Sequence, residues 1–143
     1  MNRFNMCAAA ILAACAALAG CSTCKNTAMT GRWDIESVYG TVIEKNQQNP
    51  CYLEIDTEAG RIGGYDGCNS IGGSFVKGKR GKISVKGMMS TARYCPDQGG
   101  CEMLGKAAGA AVSCKSKTEG GKQYLIFKDN SGKVCLKLYK NVP

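Results

Sequence analysis

The sequence predicts an α+β fold that is mainly β, a small antiparallel sheet or open barrel with one short helix. Its 143 residues suit a single domain. Its 19 glycines are about twice the usual share, which favours a turn-rich β architecture over a helical bundle. Short segments in which apolar and polar residues alternate lie between clusters of turn residues. Together these features predict seven or so short strands.

The first strand, residues 31–38, places Trp33 and Ile35 on one face and charged residues on the other. The next segment alternates in the same way, with Leu53 and Ile55 facing inward, and returns as a hairpin. The strands predicted after the first are residues 51–56, 61–65, 74–76, 83–85, 124–128 and 134–139. A glycine-punctuated basic tip joins the strands at 74–76 and 83–85, and a polar turn joins the last two.

One helix is predicted, over residues 101–112. The apolar positions that share one helical face are Cys101, Leu104, Ala108 and Ala111. Gly105 and Gly109 each weaken the helix by about 1 kcal/mol relative to alanine. The helix is therefore expected to depend on packing against the sheet.

The first twenty residues have the pattern of a secretory signal, with a positive charge at Arg3 and then an apolar run. The run is too short to span a bilayer. It ends in the letters LAGC at Cys21, which resembles the lipobox of bacterial lipoproteins, in which the cysteine receives a diacylglycerol. The letters LAAC at Cys15 also fit a loose lipobox, and an ordinary signal peptide or a buried N-terminal helix is the remaining alternative. We therefore predict a signal peptide at 1–20, a tether linker at 21–30 and one domain at 31–143.

Lipidation at Cys21 would fix the location of the protein. Several acyl chains, including palmitate, on one residue make membrane attachment stable. Ser22 follows the cysteine and no acidic residue is beside it. This pattern resembles that of lipoproteins sent to the outer membrane. We expect a protein of the bacterial cell envelope that is lipid-anchored at the outer membrane and faces the periplasm.

The cysteines that follow the predicted signal are Cys21, Cys24, Cys51, Cys68, Cys95, Cys101, Cys114 and Cys135. If lipid occupies Cys21, an odd number of thiols remains, so at least one is free or bonded to another chain. The Cys21–Cys24 spacing imitates a redox motif, but its first sulfur would be alkylated. No pair among the other seven has the spacing of zinc ligands, the closest being Cys95 and Cys101, and no metal site is predicted.

Several of these segments resemble the META domain, the family of heat-inducible envelope lipoproteins of the HslJ type. The resemblance covers residues 31–141, and its most specific part is a Gly-Cys-Asn element followed about 25 residues later by Thr-x-x-x-Cys. The residues that match this motif are Gly67, Cys68, Asn69, Thr91 and Cys95. The resemblance implies a Cys68–Cys95 disulfide, which closes a loop worth about 3.5 kcal/mol in the chain-entropy model. It also implies a non-enzymatic protein of the envelope stress response.

The remaining thiols leave alternatives open. Cys51 lies on the apolar face of its strand, whereas Cys135 shares a face with Lys137 and Tyr139. This parity argues against a Cys51–Cys135 bond unless a bulge shifts the register. A Cys101–Cys114 bond across the helix and buried reduced thiols are the other possibilities.

Charge is distributed unevenly along the chain. The segment 31–66 carries −4, the segment from residue 67 onward carries +10, and the whole chain carries +8. The tip of one predicted hairpin holds Lys77, Lys79, Arg80 and Lys82. These residues are either a solvated, edge-protecting turn or a contact site for an anionic surface or an acidic envelope protein. No nucleic-acid partner is predicted, because the tip lacks aromatic residues that could stack on bases.

Composition also restricts the function. The chain has no histidine, which removes Ser-His and Cys-His catalytic pairs, so no catalytic residue and no cofactor are predicted. We expect a non-catalytic, membrane-anchored lipoprotein that supports stress tolerance or envelope maintenance through a partner. The alternative is a lipid-anchored inhibitor of an extracellular protease or lysozyme, which would present an exposed, disulfide-braced loop at residues 94–100.

Overall fold

A computed structural model describes residues 22–23 and 29–142 and shows one curled antiparallel sheet that forms a half-barrel, with one short helix. This confirms the predicted fold class. The ten strands are β1 (Ser22–Thr23), β2 (Gly31–Val38), β3 (Thr41–Val42), β4 (Cys51–Asp56), β5 (Arg61–Asp66), β6 (Ser70–Lys77), β7 (Ile83–Ser90), β8 (Ser113–Glu119), β9 (Lys122–Lys128) and β10 (Val134–Asn141). The helix, α1, is Leu104–Ala110. In the described residues no helix is both long and apolar enough to cross a membrane.

The spatial order of the strands is β1-β8-β9-β10-β2-β4-β5-β6-β7, and the short β3 pairs with β2 off this path. Hairpins join most neighbours, so the chain folds largely by local pairing. The exceptions are β1, which pairs with the distant β8, and β2, which pairs with β10 on one side and with β4 on the other. Strand β2 therefore joins the two halves of the sheet. The curl brings the two halves together again at an isolated bridge between Lys82 and Ser113.

The concave face of the sheet holds the core. Trp33, Leu53, Phe75, Phe127 and Leu138 are all 1% exposed or less. Their strands bury alternate residues, as the sequence pattern predicts. At about 25 cal/mol per Å² of apolar surface, burial of these large side chains is the main favourable contribution to folding.

Residues that precede the predicted domain start at 31 also pack against the sheet. Ser22–Thr23 forms a strand against β8, although the segment 21–30 was expected to be a linker. Met29 is completely buried, and its carbonyl oxygen accepts a hydrogen bond of 2.8 Å from the Trp33 indole. Small and polar residues surround Met29 in sequence, so no apolar period reveals its burial.

The helix is shorter than the predicted 101–112. A 3₁₀ turn at Cys101–Met103 precedes α1, and the backbone is extended at Ala111. The packing of α1 on the sheet does not require either of the two glycines that weaken the helix, because a Cβ at each would make only an ordinary contact. A methyl group at Gly109 would lie 3.5 Å from Met88, and one at Gly105 would lie 3.7 Å from Ile71.

The Cys68–Cys95 bond is the pair that the family resemblance implies, whereas the remaining thiols pair differently from the alternatives that the sequence offered. Cys51 bonds to Cys101 and Cys68 bonds to Cys95. The proposed Cys101–Cys114 bond is wrong, although Cys114 is itself disulfide-bonded. Among the described residues Cys135 is the free thiol, and it is buried rather than facing outward. The register of β9 and β10 shifts between Val134 and Leu136, and this bulge lets both Cys135 and Leu136 face the core.

Burial raises the pKa of the Cys135 thiol from 9.0 to about 11. The folded protein therefore holds this proton more tightly than the unfolded chain does. Between pH 9 and pH 11 the unfolded thiol ionises first, so its contribution to stability is complete below pH 9 and is lost as pH rises to 11. Urea unfolding over this range should show a steeper loss of stability in the wild type than in a Cys135→Ala variant. Parallel curves for the two proteins would contradict the assignment.

Candidate functional site

The family-type motif forms a tight turn between β5 and β6. The Asp66 carboxylate accepts hydrogen bonds from the backbone N–H groups of Cys68, at 3.0 Å, and Asn69, at 2.6 Å. The Asp66 N–H donates to the Asn69 carbonyl at 3.0 Å. Gly67 has φ +84°, and a side chain there would meet the carbonyl oxygen of Gln98 at 3.2 Å. The turn therefore requires both its aspartate and its glycine.

The Asn69 side chain forms hydrogen bonds to a second segment of the chain, at residues 91 and 93. Its side-chain oxygen accepts from the Arg93 N–H at 2.6 Å and from the Thr91 hydroxyl at 2.9 Å. Its side-chain nitrogen donates to the Arg93 carbonyl at 3.1 Å. The Thr91 hydroxyl oxygen also accepts from the Ser70 N–H at 3.1 Å. One amide thus holds both backbone groups of Arg93.

The segment so held, residues 91–100, is called the braced loop here. The Cys68–Cys95 disulfide joins it to the turn, and the Gln98 side chain donates to the Asp66 carboxylate at 3.2 Å. Immediately after the loop, Cys101 bonds to Cys51 on β4. Tyr94, between the clamped Arg93 and the bonded Cys95, is 91% exposed. The loop therefore presents a large aromatic side chain on a backbone with little freedom.

The polar groups of this site are used to hold the backbone. Hydrogen bonds within the turn and to the braced loop occupy the side chains of Asp66, Asn69 and Thr91. The two cysteines of the motif are joined in the Cys68–Cys95 disulfide. In residues 29–142 no three side chains of the metal-binding types converge on a point. The arrangement can present a fixed surface to a partner.

The basic residues at Lys77, Lys79, Arg80 and Lys82 lie away from this site. They occupy the β6–β7 tip, where the Gly78 N–H donates to the Lys82 carbonyl at 2.7 Å. The turn and the braced loop lie at the other end of the same hairpin, about 24 Å away at 3.4 Å per residue. The structure thus unites Gly67, Cys68, Asn69, Thr91 and Cys95 but separates them from the tip. Cys21 lies outside the described residues.

The structure also contains a cavity that the sequence did not predict. It has a volume of about 590 Å³ and lies over strands β2, β4, β5 and β6. Gly63 and Gly72 face each other across its floor. At its wall the Arg32 guanidinium stacks on the Tyr52 ring, 3.6 Å from the centroid. No motif residue lines it, so we regard the turn and the braced loop as the candidate site.

Replacing Asn69 by alanine should loosen the braced loop. Three side-chain hydrogen bonds are lost, at about 0.5–1.5 kcal/mol each. We expect the free energy of unfolding to fall by about 2 kcal/mol and trypsin cleavage after Arg93 to accelerate. Limited proteolysis and urea unfolding measure the two effects. The matched control is Asn130→Ala in the exposed β9–β10 turn, which should change neither. Equal cleavage rates for Asn69→Ala and the wild type would show that the disulfide alone holds the loop.

Comparisons with known proteins agree with this fold. The family model "META domain" matches residues 26–140. A structure solved by NMR covers 79% of this chain and 90% of its own, at 20% identity and a TM-score of 0.53. An NMR structure of a protein from Burkholderia xenovorans covers 79% of each chain, at 21% identity and a TM-score of 0.52. No curated protein matches the sequence. The matched segment includes strands β2 to β9, nearly all of β10, the turn and the braced loop, and the chain therefore belongs to the META domain family.

Proposed function

We propose that this protein is a non-catalytic lipoprotein of the bacterial envelope that acts by binding a partner through the braced loop. The observation that carries the proposal is the use of the motif residues to fix this loop while Tyr94 remains 91% exposed. Exposed aromatic side chains on rigid backbone supply contact area at low entropic cost. The bound partner would be an envelope protein, and the setting would be stress tolerance or envelope maintenance.

Membrane attachment rests on the sequence. The LAGC letters ending at Cys21 favour a diacylglycerol anchor, and Ser22 favours the outer membrane facing the periplasm. Mass spectrometry of the N-terminal peptide from the native envelope tests this directly. A mature chain that begins at a lipidated Cys21 is the expected result. An unmodified Cys21 in a chain that retains Met1 would refute the anchor.

To identify the partner, the anchored protein is used as bait to capture proteins from the native envelope. Tyr94→Ala should lose the captured protein, because it removes the aromatic side chain without altering the backbone of the loop. Met89→Ala is the matched control, since Met89 is 77% exposed but lies outside the loop. Capture that survives Tyr94→Ala, or that fails equally in both variants, would contradict binding through the loop.

One observation favours a second candidate, the inhibition of an extracellular hydrolase. Tyr94 lies between a residue clamped at both backbone groups and a disulfide-bonded cysteine. A protease that accepts aromatic residues would meet a preformed segment that resists movement after contact. The strongly basic half of the chain disfavours lysozyme, which is itself basic, and favours an acidic protease. Titration of such a protease should show inhibition that weakens at least tenfold in Tyr94→Ala and is unchanged in Met89→Ala.

A further inference from the structure

Strand β1 and the basic tip both adjoin the same edge of strand β8. β9 pairs along the whole of β8 from Ser113 to Glu119 and occupies one edge. The opposite edge pairs with β1, where Ser22 faces Ser116 and Thr23 faces Lys115. The same opposite edge carries the bridge between Lys82 and Ser113. Three positions along β8 therefore separate the partner of Ser22 from the partner of Lys82, about 10 Å at 3.4 Å per residue.

The tip is a structured, cationic turn. Hydrogen bonds from the Gly78 N–H to the Lys82 carbonyl and from the Lys82 N–H to the Lys79 carbonyl fix its backbone. Lys79, Arg80 and Lys82 are exposed, and so is Lys115 on the adjoining strand. The ion pairs seen in the described part of the chain involve Lys45, Lys117 and Lys137, not the tip. The tip thus presents concentrated positive charge to whatever lies beside it.

The proposed anchor lies next to this edge. Ser22, the first residue of β1, directly follows Cys21 in sequence. A chain spans at most about 3.6 Å per residue, so an acylated Cys21 would lie within one residue of the sheet. A lipid attached there keeps the tip within reach of the headgroups, where the anchor raises the effective concentration of the surface.

We propose that the basic tip, together with Lys115, contacts the anionic lipid headgroups of the same membrane that holds the anchor. This inference rests on the proposed lipidation of Cys21. Each lysine or arginine near an anionic surface strengthens binding by about fivefold, and salt weakens it. The domain then lies with its β1–β8 edge on the membrane. The braced loop, at the other end of the β6–β7 hairpin, is held away from the membrane where a partner can reach it.

The test uses the mature lipoprotein in vesicles of phosphatidylcholine alone or with a third of phosphatidylglycerol. A water-soluble reagent acetylates lysine amines, and mass spectrometry measures the extent of acetylation at each lysine. At low salt we expect labelling of Lys79, Lys82 and Lys115 to fall at least threefold in the anionic vesicles. Labelling of Lys45, which lies on the β2 side of the sheet, should not change. Raising the salt to about 0.5 M should restore labelling at the tip, because the Debye length falls below 5 Å.

Two double variants that change the net charge equally test which residues make the contact with the membrane. Lys79→Glu with Arg80→Glu should abolish the protection of Lys82 and Lys115 in anionic vesicles. Lys45→Glu with Arg93→Glu removes the same charge from elsewhere on the domain and should leave that protection intact. Equal labelling in neutral and anionic vesicles would overturn the inference while the anchor stands. An N-terminal peptide without lipid would overturn the anchor, and the inference with it.

Discussion

Removing both described disulfides should cost about 7 kcal/mol and leave the domain largely unfolded at 37 °C. The Cys68–Cys95 bond lies inside the loop that Cys51–Cys101 closes, with sequence separations of 27 and 50. The chain-entropy model gives about 3.5 kcal/mol for the inner loop. With the inner bond intact the outer loop is effectively about 24 residues long, which gives about 3.5 kcal/mol more. Their sum approaches the whole stability of a typical domain, about 5–15 kcal/mol.

The experiment compares alanine variants of each pair and of both pairs by urea unfolding and circular dichroism. Removing the outer pair alone should lower the free energy of unfolding by about 3.5 kcal/mol. Removing the inner pair alone should lower it by about 3 kcal/mol, because the outer bond then closes a longer loop and stabilises the fold more. Cys135→Ala is the control, since it removes a buried sulfur without removing a bond, and should cost about 1 kcal/mol. A double-pair variant that unfolds at nearly the wild-type urea concentration would contradict the prediction.

Local patterns in the sequence predicted most of the sheet. The alternation around Trp33 and around Leu53 is visible because large apolar residues occupy the inward positions. Strand β8 escaped prediction because only one of its buried positions, Cys114, is apolar, and the other holds Ser116. β1 is too short to show a period. The union of β2 with β10 is a pairing between distant parts of the chain, which periodicity does not encode.

The site was predictable to a similar extent. The turn at Asp66 and Gly67 has a local signature, but the hydrogen bonds from Asn69 to residues 91 and 93 join distant parts of the chain and have none. The Cys68–Cys95 disulfide was implied by the family resemblance alone. The Cys51–Cys101 bond could not be deduced, because it depends on the 3₁₀ turn bringing Cys101 under β4. The inward direction of Cys135 depends on a bulge that has no signal in the sequence.

Gly64→Ala should be among the most damaging single substitutions, with a loss of about 4 kcal/mol. Gly64 faces Leu53 in the β4–β5 pair, and a methyl group at Gly64 would lie 2.0 Å from the Tyr52 carbonyl oxygen and 3.0 Å from the Leu53 Cα. Both atoms are backbone, so no side chain can rotate to make room. Overpacking and backbone strain each cost about 1–3 kcal/mol, and here both apply.

Gly72→Ala is the matched control on the neighbouring strand. A methyl group there would lie 3.7 Å from the Ile62 carbonyl oxygen, an ordinary contact. Because alanine restricts the unfolded chain more than glycine does, this variant should match or exceed the wild type by about 0.4–1 kcal/mol. Urea unfolding of the two variants measures the difference. Equal losses of stability in Gly64→Ala and Gly72→Ala would mean that crowding around the glycines of β5 and β6 in general, rather than contact with β4, determines the cost.

The position of Gly64 also connects this loss to the site. The β4–β5 register that it sets places Cys51 opposite Asp66, so one pair of positions adjoins both the Cys51–Cys101 disulfide and the turn that holds the braced loop. A shift of β5 to relieve the contact would displace Asp66 from Cys51. We therefore expect Gly64→Ala, but not Gly72→Ala, to accelerate trypsin cleavage after Arg93 under conditions where both variants remain folded. Unchanged cleavage would show that the disulfides hold the loop independently of the register of β5.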